Sequence, residues 1–185
     1  MILSEHADET LTERQVRSIA TLIHSVFPGA GRTIDDMIAE WLEGARVNGA
    51  ANSDSMRFVL WENDQAIAHA HTFGREIFTT EGSLKQMALS AVCVVENRRG
   101  EGLGARLMRK VFGCVDEGVW PVSLFQTPVP AFYEKLGGRI IDNEFVNSRN
   151  AEDPEASPWW EAEVMIYPAD FAWPEGRIDM NGGGY

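Results

Sequence analysis

A short apolar stretch that leads into a basic, glycine-rich turn and then into an amphipathic helix constrains this chain most. Residues 92–95 are apolar, residues 96–102 carry two arginines and two glycines, and a helical stripe begins at Leu103. In this order a strand leads to a turn whose glycines leave main-chain N–H groups uncovered, and the helix start adds a partial positive charge. The segment therefore predicts a binding site for a phosphate-bearing ligand.

Composition narrows the class of protein. The 185 residues predict one domain with a sizeable core, and 28 acidic against 16 basic residues give a net charge of −12. This charge argues against a nucleic-acid surface and suits a cationic partner such as an amine. No apolar run approaches the roughly 20 residues of a membrane helix, so we expect no membrane partner. Cys93 and Cys114 fall in predicted regular structure and favour a reducing compartment, the cytoplasm.

The spacing of apolar residues predicts alternating helices and strands, a mixed α/β domain. The predicted helices are residues 11–27, a second helix capped by Thr33, residues 103–115 ending at Gly118, and a short helix from Pro130 to Gly137. The predicted strands are a hairpin of 56–61 and 66–73, one strand within 85–95, then 120–125, 139–146 and 160–167. Residues 48–55 and 147–157 are expected to be loops, and the chain from 169 onward irregular.

Two motifs at a fixed separation resemble the GNAT superfamily of acyl-CoA-dependent N-acetyltransferases over about residues 11–168. The glycines lack the third member of a dinucleotide fingerprint. They fit instead the GNAT pattern Arg/Gln-x-x-Gly-x-Gly/Ala, met by Arg99, Gly102 and Gly104. The second GNAT signature, Phe-Tyr-x-x-Leu-Gly, is met by Phe132, Tyr133, Leu136 and Gly137. The resemblance implies a mostly antiparallel central sheet, splayed at the cofactor slot and flanked by helices.

The resemblance also implies roles for particular residues, with acetyl-CoA as co-substrate. Backbone N–H groups would hold the pyrophosphate of coenzyme A at Arg99, Gly100, Glu101, Gly102, Leu103 and Gly104. Main-chain groups of Val92, Cys93 and Val94 would bond the pantetheine arm like an added strand. Tyr133 would protonate the departing thiolate. Neither thiol has an exposed, electropositive setting, so we expect direct transfer without a covalent enzyme intermediate.

Acyl transfer to an alkyl amine requires a base. With a pKa of about 10.4, only about one amine in 10³ is nucleophilic near pH 7, which corresponds to about 4 kcal/mol. The central strand offers Gln86 and Ser90 and no acid between them. His69 and His71 share a face of the preceding strand and are either bases or hydrogen-bonded structural residues. A zinc site from this pair lacks a third ligand at suitable spacing, so no metal is expected.

The last residues, 169–185, form a tail beyond the predicted acetyltransferase domain of 1–168. The tail resembles the C-terminal end of the aminoglycoside 2′-N-acetyltransferases, which implies that Asp179 and the carboxylate of Tyr185 line the acceptor site. A tail packed across the sheet, or a mobile one, is the alternative. Ser90 stands where that family carries a central-strand acid.

The sequence thus predicts an acetyl-CoA-dependent N-acetyltransferase that acts on a small amine. Two alternatives stay open, an aminoglycoside-type N-acetyltransferase and a non-catalytic acyl-CoA-binding module. A homodimer is possible, although no segment indicates an interface.

Overall fold

The structure is a computed structural model that describes residues 1–29, 33–48 and 54–185. In chain order its elements are β1 (Ile2–Ala7), α1 (Glu13–Val26), α2 (Ile34–Asn48), β2 (Met56–Glu62), β3 (Gln65–Thr79), β4 (Gly82–Val94), α3 (Leu103–Asp116), β5 (Ser123–Thr127), α4 (Pro130–Glu134), β6 (Arg139–Ile141), β7 (Glu144–Val146), β8 (Glu163–Tyr167) and β9 (Arg177–Asp179). The chain divides into two compact units, residues 1–73 with 90–111 and residues 74–89 with 112–185.

In the first unit, β2 pairs antiparallel with both β1 and β3. Asn63 and Asp64 join β2 to β3 with positive φ angles of 48° and 62°, the geometry that a two-residue hairpin turn requires. This confirms the predicted hairpin. Strand β1 was not predicted, because an edge strand pairs on one side only and none of its residues is fully buried, which leaves a weak apolar pattern.

Both helices of the first unit begin at side-chain caps, of which only the one at Thr33 was predicted; α1 begins at Glu13 rather than at residue 11. Thr12 and Gln15 form a reciprocal capping box before α1, and the Asp36 carboxylate accepts the Thr33 N–H at 2.9 Å at the start of α2. The apolar face of α1 enters a core whose buried members are Leu11, Val16, Ile19, Ala20, Leu22, Ile38, Val59, Ala66 and Cys93. The predicted loop at 48–55 falls mostly on residues 49–53, which lie outside the described residues.

The second unit contains strands in both directions. Strand β5 pairs parallel with β4 at Met87 and Ala88 and antiparallel with β8, which pairs antiparallel with β6. Strand β9 pairs parallel with β7 and antiparallel with β3. A separate core lies here, made of Ile77, Val122, Leu124, Ile141, Phe145, Val164, Ile166, Ile178 and Met180. The mixed, mostly antiparallel α/β fold expected from the sequence is confirmed.

Several predicted boundaries in the second unit are wrong. The strand expected at 120–125 begins at Ser123, after Pro121, which has no N–H to donate. The strand expected at 139–146 is two strands, because Asn143 between them turns its amide to the carbonyls of Pro174 and Gly176. The strand expected at 160–167 begins at Glu163.

The tail was expected to be irregular, yet part of it is regular and buried. It forms β9, in which Ile178 is fully buried, and Met180 directly after that strand is fully buried as well. Residues 169–185 belong to the second compact unit together with residues 112–168. Within residues 1–29, 33–48 and 54–185, no helix is long and apolar enough to cross a membrane.

Candidate active site

The glycine-rich turn has the conformation of an open anion cradle. Gly100 and Gly102 adopt positive φ angles of 83° and 77°, and α3 begins immediately afterwards at Leu103. A Cβ atom built on either glycine would meet no heavy atom within 4 Å. The first N–H groups of a helix have no partner within the helix, and the glycines leave space in front of them. The turn can therefore accept an anion through its main chain.

Hydrogen bonds from the Arg98 side chain, which the sequence did not predict, hold this turn. The Nε of Arg98 donates to both carboxylate oxygens of Glu101, at 2.8 and 2.9 Å, and its Nη1 donates to Glu62 at 2.6 Å. These bonds lower the pKa of the Glu101 carboxyl and raise that of Arg98. The Glu101 side chain is thus committed to Arg98, so only the main chain of Glu101 remains for a ligand. Arg99 is exposed, and its Nε donates to the carbonyl of Val94 at 3.3 Å.

The central strand β4 becomes less buried at Ser90. Residues 86–89 are buried, whereas Ser90, Ala91 and Val92 are each half-buried. Ala91 has a φ of 49°, a left-handed conformation that is uncommon for a residue other than glycine and that is often found at functional sites. The strand continues six residues beyond Ala88, the last residue paired with β5, to Val94. This stretch contains the three residues predicted to bond pantetheine.

Cys93 lies inside the first core. Burial raises the pKa of its thiol to about 12, so the thiolate that a covalent mechanism needs is not formed near neutral pH. Val92 and Val94, on either side, are half-buried. Cys93 can therefore serve a ligand through its main chain only.

The two histidines of β3 occupy different surroundings. His69 is fully buried, with Nδ1 2.9 Å from the carbonyl oxygen of Ala91 and Nε2 3.3 Å from Nη1 of Arg57. His71 lies with Nε2 2.9 Å from the Ser55 hydroxyl and Nδ1 3.2 Å from the Ser90 hydroxyl. Burial, reinforced by the positive charge of Arg57, holds the pKa of both imidazoles well below the ordinary value. Both rings are therefore neutral near pH 7.

Tyr133 lies in the second unit, on α4, and only 5% of it is exposed. Its ring packs against three phenylalanines, with centroid distances of 4.6 Å to Phe125, 4.9 Å to Phe132 and 6.4 Å to Phe112. Gly137 ends this helical segment with a φ of 93°, as predicted. The packing fixes the ring, which is what a group that must meet one substrate atom requires.

The predicted acceptor residues also lie in the second unit. The Asp179 carboxylate accepts N–H bonds from Ser148 (3.0 Å) and Asn181 (2.9 Å), which help to lower its pKa. The Tyr185 hydroxyl accepts a bond from the Gln86 amide at 2.7 Å, and burial raises the pKa of that hydroxyl. The main-chain oxygen of Tyr185 accepts a bond from Gln126 at 3.0 Å. The tail is thus anchored to β4 and β5.

The predicted site residues therefore fall into two groups. Residues 92–94 and 99–104 belong to the first compact unit, together with both histidines and Ser90. Tyr133, Asp179 and Tyr185 belong to the second unit. Sequence reasoning missed the roles of Arg98, Asp8, Ser55 and Arg57, each of which bonds at least one partner that is distant along the chain.

Comparison with known proteins places the chain among acyltransferases. Over residues 9–141, more than half of its length, it matches the family model described as an acetyltransferase (GNAT) domain. No curated protein is similar enough in sequence to count as a relative.

Three solved structures illustrate the fold. A GNAT family N-acetyltransferase from Escherichia coli (YhbS), in complex with CoA, is 14% identical with a TM-score of 0.62, over 97% of this chain and 89% of that one. A GNAT family acetyltransferase from Brucella melitensis, in complex with acetyl-CoA, is 14% identical with a TM-score of 0.58, over 96% and 94%. A GCN5-related N-acetyltransferase from Kribbella flavida is 17% identical with a TM-score of 0.58. That match covers 75% of this chain, which spans only 33% of the Kribbella protein. The fold and the family model agree, and the chain belongs to the GNAT acetyltransferase family.

Proposed function

We propose that this protein transfers an acetyl group from acetyl-CoA directly to a small primary amine. The observation that carries the proposal is the open turn at Gly100 and Gly102, ahead of α3, which suits the pyrophosphate of coenzyme A. Acetyl-CoA is the co-substrate, as expected for the family and in line with neighbours crystallised with CoA and with acetyl-CoA.

One feature supports direct transfer rather than a covalent enzyme intermediate, and two others suit the use of acetyl-CoA. The thiol of Cys93 has a pKa of about 12 and is buried, which makes it a poor nucleophile. The half-buried main chain around Val92 and Val94 suits an extended pantetheine arm. Tyr133 has a fixed ring and is the proposed acid that protonates the thiolate of coenzyme A as it leaves.

The class of acceptor, a small amine, is proposed from the net charge of the protein. A net charge of −12 attracts an ammonium ion, and the neutral amine then attacks the thioester. Asp179 and Tyr185 are the proposed acceptor-site residues in the tail. The Asp179 carboxylate already accepts two N–H bonds, so it would act on the amine through its charge and its remaining lone pairs.

The test is steady consumption of acetyl-CoA with a panel of primary amines, alongside the CoA dissociation constant from calorimetry. Tyr133→Phe should lower kcat by about 10²-fold or more and leave CoA affinity unchanged. Tyr167→Phe is the matched control, because the Tyr167 hydroxyl donates to Asp116 at 2.7 Å and has no proposed role in transfer. CoA binding without turnover on any amine would refute the enzyme and leave a non-catalytic binding module.

A cytoplasmic location and a homodimer complete the proposal. Cys93 and Cys114 are both in the reduced form rather than in a disulfide, which suits a reducing compartment. Sedimentation of the purified chain would decide between monomer and dimer.

A further inference from the structure

Four polar side chains of the first unit form an unbroken chain of hydrogen bonds that ends on β4. The Ser55 hydroxyl donates to Oδ2 of Asp8 at 2.8 Å. The same hydroxyl lies 2.9 Å from Nε2 of His71, and the opposite nitrogen of that ring lies 3.2 Å from the hydroxyl of Ser90. We call this set, Asp8, Ser55, His71 and Ser90, the β4 relay.

The direction of every proton in the β4 relay follows from its Asp8 end. Oδ2 of Asp8 accepts the bond from Ser55, so the single hydroxyl proton of Ser55 points to Asp8. The bond between Ser55 and His71 must then use a proton on Nε2. A neutral imidazole carries one proton, which leaves Nδ1 as an acceptor for the hydroxyl proton of Ser90. The lone pairs of the Ser90 oxygen are thereby directed away from His71 and can accept from a further donor.

His69 carries its proton on the opposite ring nitrogen and cannot pass a proton from one partner to another. Its Nδ1 faces the carbonyl oxygen of Ala91, so that nitrogen carries the proton. Its Nε2 faces the guanidinium of Arg57, which donates to it. A second proton on His69 would have to displace Arg57 and would create a buried cation beside another cation. Of the two histidines on β3, only His71 has a path for a proton.

The charged and titratable groups around His71 explain how it stays neutral. Arg57 on β2 forms an ion pair with Asp8, and its guanidinium lies 3.4 Å from the centre of the Trp41 ring on α2. His69 lies on β3 itself, and the ring of Phe73 packs at 5.3 Å from that of His71. From β4, His71 meets only the uncharged Ser90 among the bonds described. Burial, and then the positive charge of Arg57, disfavour an imidazolium, so the His71 ring does not retain an added proton near neutral pH.

Ser90 adjoins the segment of β4 that is proposed to bond pantetheine. It is half-buried, it directly precedes Ala91 with its left-handed conformation, and the segment proposed to bond pantetheine starts two residues later. At the other end, 17% of the Asp8 side chain is exposed, which allows exchange of a proton with water. The β4 relay thus connects Ser90, two residues before the proposed pantetheine segment, with the solvent-exposed edge of Asp8.

We propose that Ser90 is the catalytic residue that takes the proton from the acceptor amine, and that His71, Ser55 and Asp8 carry that proton towards solvent. This rests on the proposed function. As the amine N–H bond breaks, an O–H bond forms at Ser90 and its former proton moves to Nδ1 of His71. The Nε2 proton passes to Ser55, and the Ser55 proton passes to Asp8. One proton thereby moves from nitrogen to carboxylate, while the N–C bond forms, the C–S bond breaks and coenzyme A leaves as its thiolate.

The decisive experiment compares Ser90→Ala and His71→Gln with Ser4→Ala and His6→Gln. The control pair is a second serine–histidine pair of the same unit, with the Ser4 hydroxyl 2.7 Å from Nε2 of His6. We expect Ser90→Ala and His71→Gln each to lower kcat by about 10²-fold with unchanged CoA affinity, and the controls to retain the original kcat. Equal kcat values for Ser90→Ala and the unaltered protein would overturn the proposal.

The pH profile distinguishes a relay from a merely structural network. In the unaltered protein, kcat should stay level down to pH values well below about 6.5 and fall only there, as His71 becomes protonated, because burial and Arg57 hold its pKa well below the ordinary value. In His71→Gln the lower kcat should keep rising with pH, because hydroxide from solvent replaces the relay. Imidazole added to His71→Ala should restore part of the lost rate. A His71→Gln profile parallel to the original one would refute the role of His71.

A measurement on the unaltered protein covers the case in which the variants fail to fold. Nitrogen-15 chemical shifts at pH 7.5 should report His71 with its proton on Nε2 and His69 with its proton on Nδ1. A proton on Nδ1 of His71 would refute the β4 relay. Absence of turnover with any amine in the unaltered protein would instead refute the proposed function, so the two failures are distinguishable.

Discussion

Substituting alanine for either of two glycines near α3 should have opposite effects on stability. Gly102 has a φ of 77°, where a side chain costs roughly 1–2 kcal/mol, and the smaller entropy of the unfolded chain returns roughly 0.4–1 kcal/mol. Gly102→Ala should therefore lower the free energy of unfolding by about 1 kcal/mol. Gly113 lies inside α3, and a Cβ there would meet only an oxygen of Glu117 at 3.9 Å. Gly113→Ala should raise the free energy of unfolding by about 0.5–1 kcal/mol.

The same pair of variants tests the proposed ligand site. The backbone of the Gly102→Ala variant can relieve the strain of a positive φ by changing to a negative φ at residue 102. This change would also reorient the N–H groups at the start of α3. Losing two such contacts, at roughly 0.3–1 kcal/mol each, weakens CoA binding by about tenfold. Gly113→Ala should leave CoA affinity unchanged.

Thermal unfolding and calorimetric titration with CoA measure both effects. The melting temperatures of the two variants should differ by about 5 °C. Unchanged CoA affinity in Gly102→Ala, together with equal melting temperatures, would refute the reasoning that this turn is a strained, open cradle.

Three further predictions concern the core and the buried titratable groups. Phe112→Ala should cost about 3–5 kcal/mol of unfolding free energy in urea, because Phe112 is 2% exposed and stacks on Tyr167 at 3.9 Å; a loss below about 1 kcal/mol would contradict that packing. The pKa values of His69 and His71 are lower in the folded than in the unfolded chain, so the unfolded chain binds more protons as the pH falls below about 6.5. Stability should therefore decrease from about pH 6.5 downwards, by at most about 1.4 kcal/mol per pH unit for each histidine, and equal urea midpoints at pH 7.5 and 5.5 would argue against it. Cys93→Ala should retain acetyl transfer, and Cys93 should resist iodoacetamide in the native protein, since its pKa is about 12; loss of activity that cannot be traced to lost stability would indicate a covalent role.

Local sequence signals predicted the local structure well. The Thr33 cap, the turn at Asn63 and Asp64, and Gly137 at the end of the α4 segment each act through neighbouring residues, so their patterns are readable along the chain. The cradle at Gly102 was predicted for the same reason. A weak edge strand such as β1 was missed, since only one of its edges is paired.

Contacts between distant residues could not be predicted. Ser55 meets Asp8 across 47 positions of sequence, and Asn143 meets the tail across more than 30. The sequence placed His69 and His71 on one face of a strand, which is correct. It could not assign their protons, because those depend on Arg57 and on the carbonyl of Ala91, which only the folded chain brings to them.

The division into two units has a consequence for biosynthesis. The chain passes from one unit to the other three times, after Phe73, Leu89 and Val111. Because each unit is made of two separate ranges, a single cleavage of the chain cannot separate the two units intact. Neither unit can therefore be expressed as one continuous fragment. During translation the first half stays incomplete until residue 111 has left the ribosome, although its first 73 residues emerge much earlier. The nascent chain therefore carries an incomplete first unit during this interval. Arrest peptides placed at successive chain lengths can measure the length at which folding first exerts a pulling force.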